Sequence, residues 1–189
     1  MPYSIKIYLC LFAILLLAKG YAQPNSPANS RQALESLVKK TGEIFVSVDA
    51  FQEQHNKICT IENVFSNGIA IKGDTVKINY LNYTESFCEA FVLQSKMIYT
   101  FSLKDLEPAK LLLTQRNYNV GKGKLTDGQA IWYEIHLFTR QQKPLIAMRD
   151  LDTRKTEHVS EMRLLFKTKE AAQKGLVHLR SLVGEASKS

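Results

Sequence analysis

Glu43-Ile44-Phe45-Val46-Ser47-Val48-Asp49 is where the chain changes period. Ile44, Val46 and Val48 fall on every second residue, so they share one face, and β-branched side chains suit a pleated strand. Upstream the spacing is helical. Ser30 reads as the cap of a short helix through Lys40, with Leu34, Leu37 and Val38 at i, i+3 and i+4. Gly42, just past Lys39-Lys40, reads as its stop. Downstream the period of two persists. Lys57 to Val64 reads as a strand that runs into a turn at Ser66-Asn67-Gly68, because Asn-Gly supplies the positive φ of a tight hairpin. Ile69-Ala70-Ile71 follows, then a turn at Lys72-Gly73-Asp74. Thr75 to Leu81 alternates again, with Val76, Ile78 and Tyr80 together. Cys88 to Gln94 and Met97 to Leu103 read as a hairpin around Ser95-Lys96.

Asp105 to Gln115 fits either one short helix or a helical turn followed by a strand. Arg116 to Gln129 carries Gly121, Gly123 and Gly128 and reads as a long loop. Ile131 to Phe138 is the clearest strand of all. Pro144 to Met148 and Glu161 to Phe166 are two more, and Asp150 to Glu157 between them is polar apart from Leu151. Thr168 reads as the N-cap of a closing helix over 168–183, in which Ala172, Leu176, Leu179 and Val183 form one buried stripe. Gly184 reads as its stop. Gly175 lies mid-helix, where glycine costs about 1 kcal/mol against alanine; close approach to a strand would account for it. The expectation is a mainly β fold with a C-terminal α-helix. Eight or nine short strands form an antiparallel small barrel or sandwich capped by that helix, as one domain over 30–184 with a tail at 185–189.

Length and composition agree. The 189 residues suffice for one sizeable domain, and 45% hydrophobic with 23% charged content excludes a mostly disordered chain. Residues 1–22 stand apart. Lys6 precedes an apolar run from Ile7 to Ala18, and Gly20 and Ala22 are small residues two apart before Gln23-Pro24. That is the pattern of a signal peptide cleaved after Ala22. The run of about 12 residues falls short of the roughly 20 that a membrane span needs. Cys10 lies inside the run, in no lipidation context. Cleavage leaves 167 residues, and losing Lys6 and Lys19 takes the net charge from +7 to +5. Residues 23–29 read as a flexible spacer. The expected location is extracytoplasmic, periplasmic or secreted. In an oxidising compartment Cys59 and Cys88 are a disulfide candidate, closing a loop of about 30 residues; two free buried thiols are the alternative.

The ending Met162-Arg163-Leu164-Leu165-Phe166-Lys167-Thr168-Lys169-Glu170-Ala171-Ala172 is strand, turn and helix after a run of strands. In this order of elements the chain, over about residues 43–184, resembles the pleckstrin-homology-like barrel, which implies seven strands in two sheets with a helix plugging one end. The resemblance carries no binding residues. The Trp those domains usually hold in the closing helix is absent, and Trp132 lies on a strand. A lipocalin-like barrel is the other architecture considered, without its Gly-x-Trp.

No phosphate loop, Gly-x-Ser-x-Gly elbow, His-Glu-x-x-His or Cys-x-x-Cys is present, so no cofactor is implied. Gly121-Lys122-Gly123-Lys124 has phosphate-cradle glycines without the spacing. Glu134 and His136 share a strand face with Trp132 and Phe138 and are candidates for a metal site or general-base chemistry, given a third partner. The plainer expectation is a solvent-facing polar pair opposite an apolar Ile131-Tyr133-Ile135-Leu137 face. His178 reads as a satisfied histidine at the edge of the helix stripe. Basic residues are spread rather than clustered, which argues against nucleic acid and leaves weak attraction to anionic glycans or phospholipid surfaces. Asn82-Tyr83-Thr84 fits a glycosylation sequon. Together these point to a non-catalytic binding module for a protein partner or a small apolar ligand. The alternatives are a small extracytoplasmic hydrolase using Glu134 and His136, which a cavity and a third acid at that pair would favour, and an envelope-associated structural protein, which an exposed apolar patch on the 30–40 helix would favour.

Overall fold

Residues 27–52, 57–86, 91–117, 124–128 and 131–188 are described by a computed structural model. Residues 1–22, expected to be a leader, lie outside these residues, as do Cys88, His55, Gly121-Lys122-Gly123 and the side chain of Cys59, so the disulfide candidate falls outside them too. Helix α1 spans Pro27–Thr41. It starts earlier than the Ser30 cap predicted, because proline suits a first helical turn whose N–H groups have no partner in any case. Ser30 is instead buried inside the helix. Leu34 and Val38 are fully buried, and the Gly42 N–H closes the helix onto the Val38 carbonyl at 2.7 Å. A Cβ on Gly42 would lie 2.2 Å from Asn67 Nδ2 and 2.6 Å from the Val38 oxygen, so only glycine fits there.

Strands β1 (Glu43–Gln52), β2 (Lys57–Lys72), β3 (Thr75–Ser86) and β4 (Phe91–Ser102) form an antiparallel meander. After two short 3₁₀ turns come β5 (Leu112–Asn117), β6 (Lys124–Gly128), β7 (Ile131–Phe138), β8 (Ile146–Asp150), β9 (Thr156–Val159), β10 (Glu161–Phe166) and helix α2 (Lys169–Ala186). The described strands make a seven-stranded sheet, β6-β1-β2-β3-β4-β8-β9, and a three-stranded sheet, β10-β7-β5. All pairings are antiparallel, and the two sheets stay separate rather than closing into one barrel. The core lies between them and the helices, with Val76, Ile78 and Phe101 on one side and Ile135, Leu164 and Phe166 on the other.

Further local expectations are corrected. Residues 116–129 are not one long loop, since β5 runs to Asn117 and Lys124–Gly128 is strand β6. Ser66-Asn67-Gly68 is no turn, since β2 runs straight through it; the described glycine with positive φ is Gly73, at 60°, in the Lys72-Gly73-Asp74 turn. Ser95-Lys96 lies inside β4, paired with Asn82 and Leu81. Gly184 does not stop α2, which continues to a buried Ala186. The Thr168 cap holds, its Oγ1 accepting from the Ala171 N–H at 3.2 Å. Gly175 is explained as expected: a Cβ there would come within 2.6 Å of the Phe166 ring on β10.

Asn67 shows why β2 stays straight. Its buried side chain crosses from the large sheet to the small one. Nδ2 donates to the Gly42 carbonyl at 3.0 Å and the Leu165 carbonyl at 3.2 Å, and Oδ1 accepts from the Leu165 N–H at 2.6 Å. One amide thereby imitates a strand neighbour for β10 and locks the two sheets and the end of α1 together.

Candidate functional site

The first candidate site grows from the central strand of the small sheet. On β7, Ile135 and Leu137 pack into the core under the helices, as the apolar face predicted. The opposite face is not open to solvent, however. Glu134 is only 5% exposed and His136 8%. This corrects the solvent-facing expectation. The physical reason is that β7 has a strand on each side and the large sheet over its polar face, where Trp132 stacks on Phe65 of β2 at 5.5 Å. Register delivers the partners: Thr114 and Leu165 lie opposite Glu134, and Arg163 opposite His136.

Buried polar groups need partners, and these have them. Glu134 accepts from Trp132 Nε1 at 2.9 Å and Arg116 Nε at 3.0 Å, with an Arg163 guanidinium nitrogen 3.6 Å away. His136 Nδ1 lies 2.8 Å from Glu161 Oε1, and its Nε2 lies 2.9 Å from Thr114 Oγ1. Two carboxylates and two guanidiniums balance, so the cluster is neutral when the imidazole is neutral. The consistent tautomer has Nδ1–H donating to Glu161 and Nε2 accepting from the Thr114 hydroxyl. Beside the cluster is a cleft of about 350 Å³ lined by Tyr80, Tyr99, Glu134, Glu161 and Arg163. Burial, then the neighbouring Tyr99 and Glu134, pushes the Tyr80 hydroxyl up to about 12, and burial also raises Tyr99. Both phenols are therefore protonated donors at any physiological pH. Among the described residues no group of three or more His, Cys, Asp or Glu side chains could hold a metal ion. Here the two carboxylates flank opposite nitrogens of one ring. Sequence reasoning found Glu134 and His136 but missed Thr114, Arg116, Glu161 and Arg163, because only strand register brings them together.

The second candidate site lies on the other face of the large sheet. Two cross-strand rows form its floor: Gly68, Asn79 and Ile98, then Ser66, Leu81 and Lys96. Helix α1 runs along the edge of β2 and raises one wall with Gln32, Glu35, Ser36 and Lys39, one stripe at helical spacing. Glu35 Oε1 accepts from the Ile71 N–H at 2.7 Å, pinning the helix to the strand edge that β1 leaves free. Leu151 forms the far wall, its N–H bonded to the Lys96 carbonyl at 2.9 Å. The groove encloses about 850 Å³. Gly68 sets its depth, since a Cβ there would meet nothing within 4 Å. No sequence signal marked this groove, because Gly68 read as a turn and Leu151 as an isolated apolar residue in a loop.

The remaining histidines and the sequon fall elsewhere. His178 sits at the boundary of α2 as expected, but among the described residues its buried Nδ1 has no hydrogen-bond partner, and burial lowers its pKa. His158 is exposed on β9. Asn82 lies within β3 with its Oδ1 buried, a poor presentation for glycosylation. Comparison of the chain with protein-family models, with curated proteins and with solved structures finds no match, so its function is argued from these two sites.

Proposed function

We propose that this protein is an extracytoplasmic, non-catalytic binding module, and that its ligand seat is the groove between α1 and the outer face of β2, β3 and β4. The observation that carries this reading is a groove of about 850 Å³ on a three-strand floor, with Leu81, Ile98 and Leu151 in its lining. Small-molecule sites are concave, mostly apolar, and roughly 300–1,000 Å³ in size. The reading of residues 1–22 as a leader, and an element order in the sequence that resembles that of pleckstrin-homology-like domains, support an exported binding module. Titration with a fluorescent apolar probe tests it. Saturable 1:1 binding to the native protein, abolished in Gly68→Trp, is expected. Equal binding by both proteins would sink the groove as the seat. A Cβ at residue 68 meets no atom within 4 Å, and an unchanged melting transition checks that the variant is folded.

A second reading, a hydrolase, is favoured by one observation. Thr114, His136 and Glu161 form a hydroxyl–imidazole–carboxylate chain with contacts of 2.9 and 2.8 Å, next to a cleft. That is the relation of nucleophile, base and orienting group. Labelling of Thr114 by an alkyl fluorophosphonate, lost in His136→Asn, would establish it in place of the non-catalytic reading. The structural-protein alternative asked for an exposed apolar patch on α1. The stripe α1 exposes beside the groove is instead polar, while Leu34 and Val38 are buried.

A further inference from the structure

We infer that the groove takes a monomeric single-chain amphiphile with an anionic head group, its chain on the β2–β4 floor and its head held by Lys39 and Lys96. The inference rests on the groove being the ligand seat and adds the ligand's chemistry. Three charged side chains line the groove: Glu35, Lys39 and Lys96. Glu35 is already engaged with the Ile71 N–H and anchors α1. Lys39 on the helix wall and Lys96 on the far strand are exposed, and among the described residues neither ammonium is held in an ion pair. Among the described residues the groove therefore offers two unpaired cations against one carboxylate, Lys39 on the helix wall and Lys96 on the outermost floor strand, with Leu81 and Ile98 as the apolar part of that floor. Polar neutral groups of its lining, among them Gln32, Ser36, Ser66 and Asn79, can complete the solvation of a head group but do not repel one.

Dimensions agree with a single chain. Adjacent strands lie about 4.8 Å apart, so the three-strand floor is roughly 10 Å across. A protein helix with its side chains is about 10–12 Å in diameter and would fill that width without reaching the floor at Gly68. An alkyl chain is thin enough to lie along the rows and contact Gly68, Leu81 and Ile98 at once. A bilayer surface would meet the lysines but could not enter the groove as a monomer does.

Calorimetric titration of the full-length mature protein with dodecanoate below its micellar concentration, and in parallel with dodecanol, is the test. Dodecanoate should bind 1:1, at least about tenfold more tightly than dodecanol, and more weakly as salt screens the lysines. Lys39→Gln with Lys96→Gln should remove that preference, bringing the acid and the alcohol to the same affinity. Gly68→Trp should remove both. Equal affinity for the acid and the alcohol, or a preference that survives loss of both lysines, would overturn the anionic head while sparing the groove as an apolar seat. Binding of neither compound would overturn the groove itself. Binding to anionic vesicles without binding of monomeric dodecanoate would also overturn the inference, in favour of a membrane surface. All variants change exposed or open positions, and an unchanged melting transition verifies that each is folded.

Discussion

Replacing Asn67 with alanine is expected to destabilise the protein more than its size suggests. The side chain makes three hydrogen bonds, two of them to Leu165, which is 4% exposed. Each such bond contributes about 1 kcal/mol net, and a buried donor left without a partner costs roughly 1–3 kcal/mol. In Asn67→Ala the Gly42 carbonyl keeps the backbone N–H of residue 67, at 2.9 Å, but the Leu165 N–H loses its acceptor. The loss is then on the order of 3–5 kcal/mol, a large share of a whole-domain stability of about 5–15 kcal/mol. Urea unfolding measures it as a lower midpoint with an unchanged slope. Asn67→Asp separates the amide's two roles. It keeps an acceptor for Leu165 N–H but turns a carboxylate oxygen toward two carbonyls, so it is expected to be no better than alanine. An Asn67→Ala protein within 1 kcal/mol of native, or an Asn67→Asp protein equal to native, would refute the clamp.

Two glycines in α2 should respond oppositely to alanine. Gly175→Ala drives a Cβ into the Phe166 ring and should cost about 1–3 kcal/mol despite alanine's better helix propensity, while Gly184→Ala meets open space and should gain about 0.5–1 kcal/mol; thermal melts of the two proteins decide it. Alkaline stability should report Tyr80. Its folded pKa of about 12 lies above the unfolded value of 10.0, so its contribution is complete below pH 10 and is lost as pH rises from 10 to about 12. Tyr80→Phe should flatten that part of the stability profile, and an unchanged slope would count against the buried phenol.

Much of the fold was legible because it rests on local periodicity. The alternation at Val76, Ile78 and Tyr80, the stripe at Ala172, Leu179 and Val183, and the Thr168 cap each reflect an element with one buried face. The failures have different causes. Lys124–Gly128 and Thr156–Val159 are edge strands of the large sheet, and the described β9 residues are almost wholly exposed, so no apolar alternation marks β9. Edge strands are often short and polar for the same reason that they resist pairing with other chains. Asn67-Gly68 misled for another reason. The pair has strong turn chemistry, but here the amide is spent on Leu165 and the glycine on keeping the groove floor low. Tertiary contacts 98 residues apart in sequence outweighed a local preference.

The same limit governs the candidate sites. Glu134 and His136 were visible as a pair on one strand face, and their burial was not, because alternation records which face a residue lies on and not what covers that face. An apolar cover would have left two titratable groups stranded. Instead β5 supplies Thr114 and Arg116, and β10 supplies Glu161 and Arg163, in register with β7. The cluster is thus satisfied by neighbours within its own three-stranded sheet, while Asn67 and Trp132 join that sheet to the large one. That division has a functional consequence. The groove is floored by the outward positions of β2, β3 and β4 and the cluster lies across their inward side, with Tyr80 lining both the groove and the cleft. A substitution such as Gly68→Trp alters one site without touching any hydrogen bond of the other, so ligand binding and hydrolytic chemistry can be tested independently in one folded protein.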